Sequence, residues 1–314
     1  MTTTATAQRP SHPLDSGIAP SWASEIGEDQ WAPFASLEID GVVERMRWIP
    51  PGDFQMGSPE SENGRYGDEG PVQNQSIAAG FWMMETPVTQ ELWQAVMGEN
   101  PSYFKSGKRP VEQVSWDDGQ GFIEKLNSRL DGLKLCLPSE AQWEYACRVG
   151  TQTATYVGDL EIAGDYNAPG LDEIAWYSGN CGVDFDLADG QDMTGWSEKQ
   201  YEFSIGGTRE VKQKKPNGFG LYDMLGSVWE WCEDYWREGY EAEFDPSFRV
   251  VRGGSWFSDA RYVRAACRCG STPDDALYDI GFRCVEFKPE LQQESRERSR
   301  ANSAEPGEDR ERES

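Results

Sequence analysis

Thiols, carboxylates and one imidazole are the groups in this 314-residue sequence that could do chemistry, and their spacing excludes more than it allows. The seven cysteines (Cys136, Cys147, Cys181, Cys232, Cys267, Cys269 and Cys284) are odd in number and scattered, so neither a small disulfide framework nor paired C-x-x-C zinc spacing is present. Reduced thiols in a cytoplasmic protein are the expectation. Cys267 and Cys269 form a C-x-C pair that an extended backbone would turn to one face, and two ordinary thiols are the simpler reading. The sole histidine, His12, lies in a polar leader. Its position removes a histidine-based triad, a three-histidine zinc site and a two-histidine iron site from the folded part.

Charge narrows the partners. A formal charge of -26 repels phosphate backbones and anionic lipid, which argues against nucleic acid and membrane surfaces. No secretion signal and no apolar run long enough to span a bilayer are visible. Asp184, Asp186, Asp189 and Asp192 crowd between Cys181 and Gly207, but the order of acids and glycines does not fit an EF-hand, and the segment reads as a long solvated loop. Lys212, Lys214 and Lys215 read as a solvated basic turn.

The elements that must position these groups follow from pattern. Residues 1–28 read as a disordered leader and 287–314 as a disordered charged tail, leaving one domain over 29–286. Alternation from Leu37 to Met56 around Asp40-Gly41 predicts a hairpin, and Phe81 to Glu85 a short strand. Three amphipathic helices should start at the N-caps Thr89, Ser115 and Ser139; Gly98 should stop the first, and Gln142 should complete a capping box on the third before Gly150 ends it. Trp229, Trp231 and Trp236 are expected in the core.

The run Arg249–Val285 is the most unusual. Two strand-like ends, RVVRGGSW and IGFRCV, enclose 24 residues, Phe257 to Ile280, that contain no Lys, Glu, Gln, Met or Trp.

Six collinear blocks carry a family resemblance. RWIPPGDFQMGS, ETPVTQELWQAVMGENPS, RPVEQVSWDDGQGFIEKLN, LCLPSEAQWEYACRVG, PNGFGLYDMLGSVWEWCEDYW and RVVRGGSW with IGFRCV resemble, in order, those of the formylglycine-generating enzyme (sulfatase-modifying factor) superfamily. The resemblance implies an α+β, irregular C-type-lectin-like fold with little regular secondary structure. It does not settle function, because the superfamily holds oxidases, iron-dependent sulfur-transfer enzymes and binding proteins. Its oxidases use two cysteines just after the GGS turn to bind copper(I). Here Ser258 stands at the first position, and the second falls in Arg261–Arg264, which has no cysteine, so no copper is expected. The histidine ligands of the sulfur-transfer branch are missing too. A structural calcium ion is implied on the carbonyls of Gly226 and Val228 and the carboxylate of Glu230, although Ser227 replaces the family's usual Asn, with Asn180 in a second site.

The sequence also resembles variable proteins of diversity-generating retroelements, whose adenine-directed mutagenesis of codons ending in a pyrimidine cannot reach Lys, Glu, Gln, Met or Trp. On that resemblance Trp256, Arg264, Arg268, Pro273 and Gly281-Phe282-Arg283 would anchor the scaffold. Phe257, Ser258, Asp259, Ala260, Tyr262, Cys267, Cys269, Gly270, Ser271, Asp275, Leu277, Tyr278 and Asp279 would project as a surface for a protein or other macromolecular ligand. The competing expectation is a metal-dependent oxidoreductase acting on a protein or sulfur-containing substrate. Oligomeric state is not legible.

Overall fold

The computed structural model describes residues 19–286; His12, most of the expected leader and the tail 287–314 lie outside them. The chain opens with β1 (Glu25–Glu28), β2 (Pro33–Ile39) and β3 (Val42–Ile49), an antiparallel meander. Residues 19–28, expected in the leader, therefore belong to the domain. Trp22 is buried and meets Trp82 edge-on at 6.3 Å, so one indole ties down a segment whose overall polarity concealed it. The β2–β3 turn falls on Asp40 and Gly41 with φ of 50° and 83°, the doubly left-handed turn that an Asp-Gly pair favours.

A second hairpin, β4 (Gly52–Met56) with β5 (Gln73–Ile77), precedes β6 (Phe81–Met84). The helices α1 (Gln90–Met97) and α2 (Trp116–Arg129) follow, then β7 (Leu135–Cys136) and α3 (Glu140–Arg148). Thr89 accepts from Leu92 N, and Gly98 closes α1 in the left-handed conformation at φ 92°. Ser115 with Asp118 and Ser139 with Gln142 form capping boxes; the left-handed cap of α3 falls on Val149, one residue before the expected Gly150.

Beyond α3 come β8 (Gln191–Asp192), β9 (Ile205–Gly206), β10 (Trp229–Trp236), β11 (Asp245–Arg252), β12 (Arg268–Ser271), β13 (Ile280–Gly281) and β14 (Val285–Glu286). A six-stranded sheet runs β1-β2-β3-β6-β14-β7, so the last described strand is inserted among early ones. A four-stranded sheet runs β12-β11-β10-β13 and carries the start of the Arg249–Val285 run on β11 and Ile280-Gly281 on β13, while Val285 ends the run on β14 in the six-stranded sheet. One hydrophobic cluster lies against α3 and another is gathered by α1, α2 and the six-stranded sheet. Trp229 and Trp231 are buried in the second, while Trp236 is half-buried at the first.

Guanidinium groups are unusually internal. Arg47, Arg148, Arg252, Arg264 and Arg283 are fully buried, and each has a carboxylate partner: Glu85, Glu144, Glu144, Glu69 and Glu230. Such pairs hold only because each charge taken from water meets an opposite one. Two of the three lysines expected in a solvated turn join this scheme: Lys212 pairs with Glu85, and Lys214 lies 3.7 Å from Asp172 and 3.8 Å above the Trp176 ring. Lys215 stays exposed beside Glu173.

The 181–207 segment is a folded flap and not a solvated loop. Its residues Phe185, Leu187, Trp196 and Phe203 pack on Phe104, Cys181, Met193 and Trp256, while Asp184, Asp189 and Asp192 point outward. Asp186 reaches back to the buried Arg109.

Candidate ligand-binding surface

The strand β11 leaves its sheet at Gly253 and Gly254, with φ of 97° and 74°. A Cβ at Gly253 would stand 2.8 Å from Met224 O and one at Gly254 3.0 Å from Tyr262 O, so only glycine fits this double turn. The chain then enters a web around Ser255. Its hydroxyl donates to Asp279 Oδ2 at 2.8 Å, lies 3.0 Å from Ser258 Oγ and accepts from Phe257 N at 3.2 Å. Trp256 is buried and donates through Nε1 to Tyr278 O at 3.2 Å, which staples the two ends of the 257–280 stretch together.

This web sorts the expected surface residues. Ser258, Ala260 and Cys267 are buried and do not project: Ser258 Oγ accepts from Ser255 N at 3.0 Å, Ala260 begins a 3-10 turn, and Cys267 sits in the core just before β12. Asp279 is likewise turned inward by Ser255. Cys269 is exposed on β12 whereas Cys267 is not, so the C-x-C pair does not share a face. Burial pushes the Cys267 thiol above the ordinary range, the reverse of what a nucleophile or soft-metal ligand needs.

Tyr262 stacks on Tyr66 at 5.1 Å in a separate aromatic group. Gly270 lies under Trp236, and Asp275 caps its own turn by accepting from Ser271 Oγ at 2.6 Å and Thr272 N at 2.9 Å. Among the expected scaffold anchors, Trp256, Arg264, Arg268, Gly281, Phe282 and Arg283 are buried and Pro273 is half-buried.

What remains outward is a row of rings. Phe257 lies 5.5 Å from Tyr278 and 4.6 Å from Trp196, which lies 4.7 Å from Tyr166. All four are half-exposed, and Leu277, 45% exposed, adjoins Tyr278 in sequence. The row rests on the buried Trp256 and Phe104, whose rings meet edge-on at 5.1 Å. Tyr166 and Trp196 were not among the expected site residues; the available signal was aromatic residues set among the acids of a supposedly solvated loop. Beneath the row Glu112 accepts from Phe104 N at 2.8 Å, and burial pushes its carboxyl up to about 7.

The residues expected to hold calcium do not fit that ion. Glu230 accepts from Trp143 Nε1 and Arg283 Nε through Oε2 and from Arg283 Nη2 through Oε1, each at 2.8 Å, so its carboxylate is spent and faces a cation already. Gly226 N donates to Gly253 O, which ties this loop to the glycine turn; Val228 is buried in the following segment. Asn180 is consumed by its own turn: Oδ1 accepts from Tyr177 N at 2.9 Å, and Nδ2 donates to Ala175 O at 2.9 Å and Asp172 Oδ1 at 3.2 Å. Among the described residues no group of three or more His, Cys, Asp and Glu is placed to hold a metal.

The sulfatase-modifying factor enzyme 1-like domain matches residues 34–288. The chain belongs to that family. Its fold is the α+β, C-type-lectin-like type of formylglycine-generating enzymes. The mouse formylglycine-generating enzyme is 29% identical over 289 residues, covering 83% of this chain and 70% of its own length. Chaperone protein LppX of Paenibacillus barcinonensis is 33% identical over 246 residues, covering 66% of this chain and 80% of its own length. Among solved structures, Treponema denticola variable protein 1 superposes with a TM-score of 0.62 at 27% identity, over 81% of this chain and 99% of that one. An enzyme, a chaperone and a variable protein in one sulfatase-modifying factor-like fold leave function to the surface.

Proposed function

We propose that this protein is a non-catalytic binding module that presents Tyr166, Trp196, Phe257 and Tyr278 to a protein or other macromolecular ligand in a reducing compartment. The observation that carries this reading is the row itself: four half-exposed rings, two from the 257–280 stretch and two from elsewhere, held on a buried aromatic floor. Rigid aromatic side chains offer large contact area at low entropic cost. Ser258 in place of an oxidase cysteine supports the absence of copper chemistry. The composition of 257–280 and the likeness to a variable protein support retroelement-driven diversification of the stretch. A nearby genomic template copy differing at adenines, beside a reverse transcriptase gene, is its test.

Binding is tested with peptides selected from a displayed random library on the immobilised protein. Affinity should fall at least tenfold with Phe257→Ala or Tyr278→Ala and stay unchanged with Glu241→Gln/Glu243→Gln. Copper-dependent oxygen uptake with a cysteine-containing peptide, or selected peptides indifferent to Phe257 and Tyr278, would overturn the reading.

A further inference from the structure

We infer that the aromatic row recognises a cationic segment of its partner, with arginine or lysine side chains laid over the rings and held by three unpaired carboxylates; this rests on the binding reading above. Asp165 adjoins Tyr166 in sequence, Asp259 is two residues beyond Phe257, and the Glu198 carboxylate lies against Gly164, which precedes Asp165. The backbone brings the first two together, since Ala260 N donates to Asp165 O at 2.7 Å. Burial and the neighbouring Asp165 raise the Asp259 carboxyl above its ordinary range, outweighing the attraction of Arg261, which forms no bond to it.

Among the described residues none of the three carboxylates makes an ion pair or a side-chain hydrogen bond. The nearby cations are occupied otherwise: Lys199 donates to Met193 O at 2.7 Å and Trp196 O at 3.3 Å, and Arg261 donates to Gly64 O at 3.2 Å and Arg65 O at 3.3 Å. Elsewhere this protein pairs its fully buried arginines with carboxylates, so a like-charged group with no bonded cation at the edge of exposed rings is complementary to a cation from outside. Ring faces supply cation–π attraction and the carboxylates supply charge, and a guanidinium, which stacks and forks, uses both better than an ammonium.

Isothermal titration with three acetylated, amidated decapeptides tests this, alternating alanine with arginine, lysine or glutamine, at 0.05 M and 0.5 M NaCl. The arginine peptide should bind most tightly, the lysine peptide next and the glutamine peptide not at all. Asp165→Asn/Asp259→Asn should weaken arginine-peptide binding at least tenfold. Glu241→Gln/Glu243→Gln, which removes the same charge from exposed positions on the β10–β11 connection, should change it less than twofold. Equal losses in both double variants would mean that the bulk negative field attracts the peptide, and would overturn the inference, as would no binding of the arginine peptide. If library-selected peptides still depend on Phe257 in that event, the row remains a binding surface and only cation recognition fails; if they do not, both fail.

Discussion

The ends of the Arg249–Val285 run and its middle treat charge in opposite ways. At the ends, Arg252 bridges to Glu144 and Arg283 grips Glu230 with two hydrogen bonds of 2.8 Å, every group out of water. In the middle, Asp259 sits partly covered beside Asp165 with no cation bonded to either. The scaffold neutralises its charges internally, whereas the surface leaves the same chemistry unsatisfied. On the proposed binding role, that difference separates a region that holds shape from one that makes contact.

The comparison breaks most directly at Arg283. Arg283→Met should cost about 3–5 kcal/mol in chemical denaturation, because Glu230 is left charged and buried with only Trp143. A loss below about 1 kcal/mol would show that the buried pairs are not what hold the scaffold. Phe257→Ala, from the half-exposed row, should cost only about 1–2 kcal/mol, since part of the ring already meets solvent. It should abolish selected-peptide binding more severely than it harms stability.

Buried carboxyls set the pH response. Burial raises Glu44 to about 8, Glu112 to about 7 and Asp223 to about 6, each above its ordinary value. A group that holds its proton more tightly when folded stabilises fully below its unfolded pKa and loses that stability as pH rises through the folded one. The melting temperature should therefore fall between about pH 4.5 and 8, and Glu44→Gln should flatten the slope. Asp29, held down at about 2 by Arg47 and backbone amides against burial, acts oppositely and only below about pH 4. A melting temperature that rises from pH 5 to 8 would contradict this.

Smaller effects sharpen the contrast. Asp259→Asn relieves like-charge repulsion and should raise the melting temperature slightly at pH 7.5 while weakening cationic-peptide binding; the reverse pair of changes would remove the distinction between the two regions. Millimolar calcium should leave the melting temperature unmoved, because Glu230 is already spent on Arg283; a clear mass-action rise would reopen the Gly226–Glu230 loop as a site.

The hairpin, the helices and their caps were legible because each rests on local chemistry: Asp-Gly at a left-handed turn, Ser139 with Gln142, Gly98 after α1. Collinear blocks carried the fold. The site was legible only in part. Phe257 and Tyr278 were named, but alternation could not tell that Cys267 precedes β12 and turns inward, or that Ser255 would fold Ser258 and Asp279 into its web. Tyr166 and Trp196 come from distant segments that meet the row only through tertiary packing. Trp22 shows the same limit at the other end of the domain, one buried indole in a polar stretch.

Hydrogen exchange of the protein, alone and saturated with a library-selected peptide, tests the central claim most directly. Slowed exchange in segments 164–167, 194–199, 255–259 and 276–279, with β10, β11 and β14 unchanged, is the predicted result. Protection centred on Cys267–Ser271 or on Gly226–Glu230, with none around Phe257 and Trp196, would contradict it.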